Sequence, residues 1–168
     1  MKPATHGRDD RGCLPSFVSG GAQVARWIYA RRVHGDVYRF EELDEGLDLV
    51  PLAGRRALDR AGRKLGLEAW RRLSLADRSA ITNAGARDVV DVVGVQALVA
   101  TMETSRIEAR AEPDAQQVPA EVAASLEVPL SPAGWAALRP LDRWVLDSLA
   151  SRGRTETLRA ALSELGLA

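Results

Sequence analysis

The sequence predicts an all-α fold, in which a disordered N-terminal tail precedes one domain of two related multi-helix units. One reason is composition: 46% of the 168 residues are hydrophobic but only 5% are aromatic. Ala, Leu and Val must therefore fill the core, which favours close-packed helices. A chain of this length forms one domain that buries roughly 70% of its unfolded surface. The other reasons are a duplicated motif and a series of helix start and stop signals.

The duplicated motif places the same four residue types at the same offsets in two segments. The first tryptophan segment, residues 66–78, contains Trp70, Leu73, Asp77 and Arg78. The second tryptophan segment, residues 131–143, contains Trp135, Leu138, Asp142 and Arg143. Each segment leads into another helical pattern. The repetition therefore predicts a duplicated helical scaffold.

The N-terminal part of the chain lacks the signals of a folded domain. Residues 1–20 contain Gly, Pro, Asp and Arg without periodicity, which predicts disorder. Residues 21–33 show a weak amphipathic helical pattern, and residues 34–40 indicate a turn that leads into a short extended piece. We therefore expect an N-terminal extension over residues 1–37 and a helical domain over residues 38–168.

The first unit opens with a predicted helix that starts at Pro51, because proline suits the first helical position. Leu58, Ala61 and Leu65 follow at helical spacing. Gly66 is placed to end this helix, because glycine readily adopts the left-handed conformation found after helix C-termini. The helix would then carry most of the basic residues of this unit on its outer face.

A short helix that carries Trp70 is predicted next, and Ser74 then caps a helix that stops near Gly85. Residues 87–103 are rich in valine, a residue type that suits strands. A helix is favoured because the segment is long and four valines fall on one helical stripe, namely Val89, Val92, Val95 and Val99. Residues 104–117 are interpreted as the linker between the two units.

The second unit repeats this plan in a shortened form. Ser131 and Pro132 give a strong N-cap and first-turn signal for the short helix that carries Trp135. Pro140 opens the following helix, and Gly153 ends it. The flanking helices are predicted from signals of the same kind, with starts at Pro119 and Thr155.

The groups needed for most catalytic and metal chemistry are missing from residues 38–168. Both histidines and the only cysteine precede this domain, at His6, His34 and Cys13. Nucleophile–base pairs, zinc sites and imidazole shuttles need those groups. The chain also has no phosphate-binding glycine motif. We therefore expect no enzyme activity, no cofactor and no metal. A carboxylate enzyme is the weakest alternative, because Asp59, Glu68 and Asp77 lie among arginines and are interpreted as ion-pair partners.

Hydropathy and cysteine usage bear on location. No stretch approaches the roughly 20 apolar residues that span a bilayer, and the N-terminus lacks the apolar run of a secretion signal. A single cysteine cannot form an internal disulfide. The expectation is a cytoplasmic protein without a membrane partner.

Charge is zero overall but uneven along the chain. Residues 38–48 hold five acids and one base, residues 49–80 hold three acids and eight bases, and residues 81–130 hold eight acids and three bases. Such blocks indicate internal charge pairing or a polar docking face rather than a general polyanion binder.

Several motifs together resemble those of a known family. Residues 38–41, Tyr-Arg-Phe-Glu, are similar to an aromatic-x-Phe-Glu opening. The similarity is strongest at Leu47, Pro51, Arg55, Leu58, Asp59, Gly62, Lys64, Leu65, Leu67 and Trp70. A closing motif is similar at Trp135, Leu138, Pro140, Leu141 and Arg143. Over about residues 38–168 the chain therefore resembles the nitrate reductase-associated protein family.

The resemblance implies an accessory role in nitrate assimilation. Such a protein would support the activity or maturation of a molybdenum-cofactor nitrate reductase and would not itself reduce nitrate. The chain departs from the family pattern, since Leu49 and Ala61 stand where cysteines are common and Asp48 stands where an arginine is usual. A thiol-based role of relatives is therefore not expected here.

A basic helix face is the candidate partner-binding site. It would dock on an acidic surface of nitrate reductase or its maturation machinery, or on the pyrophosphate of a molybdenum cofactor, because guanidinium groups bind such oxyanions in a bidentate way. The competing interpretation is a solvated face paired with Asp59 and the acidic residues 41–48. The candidates are Arg55, Arg56, Arg60, Arg63, Lys64, Arg71 and Arg72.

Two further interpretations are open. Short helices separated by tight turns can form a helix-turn-helix, so a small nucleic-acid-binding or regulatory protein is the alternative. The zero net charge and the acidic residues 81–130 disfavour it. The tryptophans Trp70, Trp135 and Trp144 could line a ligand pocket, but an anchoring role in the core is favoured because the domain has few other large residues.

Overall fold

The computed structural model describes residues 37–168, which form eight α-helices, one 3₁₀ turn and one two-stranded sheet. In chain order these elements are the 3₁₀ turn Arg39–Glu41, α1 Leu52–Arg60, β1 Arg63–Leu65, α2 Leu67–Arg72, α3 Leu75–Ala86, α4 Val92–Leu98, β2 Thr104–Arg106, α5 Ala120–Ala123, α6 Pro132–Ala137, α7 Pro140–Ser151 and α8 Thr155–Glu164. The mostly helical prediction is confirmed. The predictions for residues 1–20 and 21–33 lie outside the described residues.

Helix α1 lies at the centre of the fold and packs closely on α3. The approach depends on Gly85, because a Cβ atom there would lie 1.8 Å from the carbonyl oxygen of Ala53. Side chains of α1 enter two hydrophobic clusters, with Ala57 and Leu58 in one and Ala53 in the other. Helix α1 therefore joins the two halves of the core.

The two clusters divide largely by sequence. The N-terminal cluster surrounds Trp70, and the C-terminal cluster surrounds Trp135 and Trp144. All three indoles are 0% exposed, so the prediction that the tryptophans anchor the core is confirmed. Burial of side chains this large supplies much of the favourable free energy of folding in a domain with few aromatics.

The prediction of a helix from Pro51 to Leu65 is wrong at its C-terminal end. Helix α1 ends at Arg60, and Gly62 takes the left-handed conformation with φ of +66°. Its carbonyl accepts a hydrogen bond from the amide of Ile107 at 3.1 Å. Residues 63–65 then form β1, antiparallel to β2, which falls inside the predicted linker 104–117. Long-range strand pairing here overrides the local helical spacing.

Smaller differences concern element ends. Val89 lies outside α4 and is 82% exposed, because Asp91 caps that helix by accepting a hydrogen bond from the amide of Gly94. Of the predicted turn and extended piece at residues 34–40, Tyr38 has an extended backbone, whereas Arg39 and Phe40 belong to the 3₁₀ turn; residues 34–36 lie outside the described part of the chain. Arg154, not Thr155, occupies the N-cap of α8.

Two predicted helix N-caps, one in each tryptophan segment, are confirmed by hydrogen bonds. The Ser74 hydroxyl accepts from the amide of Asp77, and the Ser131 hydroxyl accepts from the amide of Gly134. Pro140 occupies the first turn of α7, and Gly153 ends it with φ of +63°. These matches describe local structure and do not establish two related units.

Across residues 37–168, each helix is too short or too polar to cross a lipid bilayer.

Candidate functional site

An open cleft of about 700 Å³ lies where the 3₁₀ turn, the loop before α1, α2 and the α7–α8 junction meet. Its apolar wall includes two exposed leucines, Leu49 at 51% and Leu67 at 41% of full exposure. Three guanidinium groups share the cleft with them, those of Arg55, Arg152 and Arg154. The site therefore combines an apolar surface with concentrated positive charge.

The loop that forms one wall is held by the first tryptophan segment. The Trp70 indole N–H donates to the carbonyl of Leu47 at 2.6 Å. The Arg78 guanidinium donates to the same carbonyl at 3.2 Å and to the Asp48 carboxylate at 2.9 Å. Leu47 is fully buried and has a left-handed backbone with φ of +51°. These contacts fix the turn that exposes Leu49 to the cleft.

Glu41 lies at the base of the cleft with its carboxylate enclosed. It accepts hydrogen bonds from the amide of Leu52, the first residue of α1, at 2.6 Å and from the amide of Tyr38 at 3.2 Å. Burial raises the pKa of Glu41 from 4.5 to about 7, although both amide hydrogen bonds lower it. Its negative charge is therefore only partly developed near neutral pH.

Tyr38 connects this turn to the C-terminal cluster. Its hydroxyl donates to the Asp142 carboxylate at 2.5 Å, and the Arg139 guanidinium donates to both oxygens of the same carboxylate. Burial, followed by the negative charge of Asp142, raises the pKa of Tyr38 well above its ordinary value. From α8, Glu164 accepts the amides of Arg39 and Phe40. The position of the turn is thus set by residues more than a hundred positions away.

In the described part of the chain, few carboxylates form salt bridges with the arginines of the cleft. Arg152 pairs with Asp59 at 3.3 Å. Among residues 37–168, Arg55 and Arg154 form neither a salt bridge nor a side-chain hydrogen bond. Partial desolvation lowers the pKa of Arg55, and the positive charge of Arg152 lowers it further, while the nearby charges of Asp59 and Glu41 oppose this shift. The pKa of Asp59 is raised, mainly by burial.

The predicted basic face is not one surface. Arg56 is 0% exposed, because its guanidinium donates to the carbonyls of Gly85, Arg87 and Asp88 at the end of α3. It also pairs with Glu112 at 2.8 Å. This correction has a physical cause, since a buried guanidinium requires several acceptors and the C-terminus of α3 provides them. Arg56 therefore has a structural role.

The other candidates are distributed over several elements. Arg60 donates to the carbonyl of Arg110 at 2.9 Å, on the side of α1 away from Arg55. Arg63 and Lys64 lie on β1, where Arg63 is paired with Arg106, so their expected helical spacing is wrong. Arg71 and Arg72 are exposed on α2, and Arg71 donates to the carbonyl of Asp48, next to Leu49. Of the seven candidates, Arg55 lines the cleft and Arg71 lies at its edge.

Sequence reasoning missed most of the cleft. Glu41, Arg152 and Arg154 come from segments about a hundred residues apart, and no local pattern links them. The sequence predicts Leu67 on the same side of α2 as Trp70 and Leu73, because residues three apart share a helix face. That prediction is wrong for Leu67, which is 41% exposed while the other two are buried. The charge cluster itself depends on tertiary structure.

Within residues 37–168 no group of three or more His, Cys, Asp or Glu side chains is arranged to hold a metal ion. No curated protein and no solved structure shows significant similarity to the chain. Residues 37–165, which include every element of the cleft, match the family described as conserved nitrate reductase-associated protein. The chain therefore belongs to the conserved nitrate reductase-associated protein family.

Proposed function

We propose that this protein is a non-catalytic accessory protein of nitrate assimilation. It supports the activity or maturation of a molybdenum-cofactor nitrate reductase by binding the reductase or its maturing form. Family membership supports the association with nitrate reductase. The observation that carries the binding mechanism is the cleft, because exposed leucines beside arginines suit a protein contact.

The residues that resemble the family pattern support this location. Arg55, Leu65 and Leu67 belong to that pattern and line the cleft. Leu49, which replaces a common family cysteine, is exposed in the same cleft, whereas Ala61, at the second such position, is buried at 4% exposure. The protein therefore offers an apolar contact at Leu49 where relatives would offer a thiol.

The positions of the basic residues favour a nucleic-acid-binding function less than the binding of a protein partner. Arg56 is buried, and the other basic residues of 49–80 lie on α1, β1, α2 and α3. A duplex contact needs several cations along one surface, because each neutralised phosphate contributes to affinity. The cleft arginines also stand beside leucines, which suit a protein partner better than a phosphate backbone.

Deletion of the gene tests the proposal. We expect nitrate reductase activity in cell extracts to fall severalfold, and the wild-type gene to restore it. Leu49→Glu should fail to restore it, because it places a charge on the apolar wall of the cleft. Val93→Asp is the matched control, since Val93 is 77% exposed on α4 and does not line the cleft.

Two further measurements complete this test. The tagged protein should copurify with the reductase in a stable complex, and the purified protein alone should not reduce nitrate with a chemical electron donor. Unchanged reductase activity in the deletion strain would contradict the accessory role. Turnover of nitrate by the purified protein would contradict the non-catalytic role.

A further inference from the structure

We propose that the cleft docks an acidic, amphipathic segment of a protein partner. The segment places aliphatic side chains against Leu49 and Leu67 and carboxylates against Arg55, Arg152 and Arg154. This inference rests on the proposed function for the identity of the partner. The apolar and cationic character of the cleft is inferred independently of that function, from the exposure and contacts of its residues.

The apolar part of the cleft is the first support. Leu49 and Leu67 are exposed at 51% and 41%, and they continue inward to partly buried Val50 and Leu52. Such a surface gains free energy when a partner removes it from water. Other exposed hydrophobic residues, such as Val93 on α4 and Val128 after α5, are not cleft residues.

The charge of the cleft is the second support. Arg55 and Arg154 lack a salt bridge within the described part of the chain, and Asp59 is already paired with Arg152. The carboxylate of Glu41 is enclosed by two backbone amides. Partner carboxylates would therefore meet two guanidinium groups, those of Arg55 and Arg154, that form no salt bridge within residues 37–168. Charge-assisted hydrogen bonds to such groups are strong and specific.

The shape of the cleft favours a peptide segment over a small anion. Its volume of about 700 Å³ accommodates several side chains. A free phosphate or pyrophosphate would contact the arginines but leave both leucines in water. A segment with apolar and acidic residues on one face satisfies both parts, in the manner of a helix that binds a groove.

Selection from a random peptide library tests this inference without assuming any particular partner. The full-length protein is panned against displayed peptides of about 15 residues, the length of four helical turns. We expect enriched peptides to combine aspartate or glutamate with leucine-type residues. Their affinities are then measured with the synthetic peptides by fluorescence anisotropy.

Two pairs of variants locate the binding. Arg154→Glu and Leu49→Glu should each weaken the selected peptide about tenfold, equivalent to about 1.4 kcal/mol. Arg159→Glu, an exposed arginine on α8 outside the cleft, and Val93→Asp should leave affinity unchanged. Circular dichroism melts of all four variants identify any loss that comes from unfolding. Arg55→Gln supplies a charge-removing variant in case a charge reversal fails to fold.

Three outcomes would overturn the inference. They are the enrichment of no peptide, the enrichment of peptides without acidic residues, and equal binding by the cleft variants and their controls. Displacement of the peptide by inorganic pyrophosphate, together with selected peptides that lack aliphatic residues, would instead identify a small-anion site. Because the selection does not involve nitrate reductase, its failure is distinguishable from a failure of the deletion experiment.

Discussion

The two tryptophan segments share their local structure but hold different parts of the molecule. Each contains a six-residue helix and two extended residues, and each leads into a twelve-residue helix. The first extended residues, Leu73 and Leu138, have ψ angles of 147° and 148°. Each also donates its amide to the tryptophan carbonyl at 3.1 Å. The repeated residues thus specify the same helix–turn–helix path twice.

The tryptophan and arginine side chains have different partners in the two segments. Trp70 and Arg78 both bind the carbonyl of Leu47, in the loop that forms the cleft wall. Trp135 instead donates to Asp114 in the linker at 2.9 Å. Arg143 turns back to its own segment and donates to the carbonyls of Ala136 and Leu138.

The aspartates differ still more. Asp77 completes a local cap, since it accepts from the Ser74 hydroxyl at 2.7 Å and donates its amide to the same hydroxyl. Asp142 is 4% exposed and binds Tyr38 and Arg139. The same residue at the same offset is therefore a helix cap in one segment and a buried tertiary contact in the other. The two copies of the motif therefore share a backbone path, while the burial of each aspartate determines which contacts its side chain makes.

Replacement of the two tryptophans gives the largest expected effects. Trp70→Ala and Trp135→Ala should each reduce the free energy of unfolding by about 3–5 kcal/mol, because each removes a fully buried indole. Urea denaturation measures this loss. Where both variants remain folded, only Trp70→Ala should abolish binding of the cleft peptide, because Trp70 donates to the Leu47 carbonyl and Trp135 does not. Equal effects on peptide binding would remove the distinction between the segments.

Titration of Glu41 gives the next largest effect. The folded-state pKa of about 7 exceeds the ordinary value of 4.5, so the folded protein binds more protons between these two values. The contribution of Glu41 to stability is therefore fully present below pH 4.5 and is lost as pH rises through about 7. The loss amounts to up to about 3 kcal/mol.

Urea denaturation at pH 5 and pH 8 measures this loss. The difference between the two pH values should be much smaller in Glu41→Gln, and an unchanged difference would contradict the shifted pKa. Glu156→Gln is the control, since that carboxylate is exposed in the first turn of α8 and is not among the charges that shift the pKa of Glu41. The comparison with the wild type removes any pH dependence that all three proteins share.

Replacement of Asp77 and Asp142, the corresponding aspartates of the two segments, tests the difference between the segments directly. Asp142→Ala should cost about 2 kcal/mol, because it leaves the buried Tyr38 hydroxyl without its charged acceptor. Asp77→Ala should cost about 0.5 kcal/mol, because the cap retains the Ser74 hydroxyl and loses mainly a favourable charge at the helix N-terminus. Guanidinium denaturation measures the free energy of unfolding of both variants. Similar decreases would contradict the expectation that the buried aspartate contributes more to stability than the exposed one.

Replacement of Arg78 and Arg143, the corresponding arginines of the two segments, tests the comparison through local rather than global stability. Arg78→Ala and Arg143→Ala should each cost about 1 kcal/mol, since each removes hydrogen bonds to backbone carbonyls. Amide hydrogen exchange distinguishes them. Arg78→Ala should accelerate exchange in residues 44–50, whereas Arg143→Ala should accelerate it in α6. Faster exchange of the same residues in both variants would contradict the assigned contacts.

Local signals predicted a large part of the fold. The starts of α3 and α6 follow from Ser74 and Ser131, whose side chains accept amide hydrogen bonds within the first turn. The break at Gly153 follows from the backbone freedom of glycine. Such signals act over three or four residues, so the sequence expresses them directly. The membership in the nitrate reductase-associated family was also predicted from residue patterns and is confirmed.

The errors occur where distant residues compete with local preference. Residues 63–65 have helical spacing with the preceding leucine and alanine, but β2 supplies backbone partners forty residues away. Arg56 has the same sequence setting as its exposed neighbour Arg55, yet it is buried because the end of α3 supplies three carbonyls. No pattern within one helix turn distinguishes these two arginines.

The sequence by itself determined the helical character, most helix starts, the anchoring tryptophans and the family. These depend on backbone preferences and on the size of side chains, which are local properties. Tertiary structure alone decided which arginine is buried, which aspartate binds a tyrosine, and which residues form the cleft. The physical reason is that desolvation and charge pairing depend on neighbours in space, and the chain brings those neighbours together only when it folds.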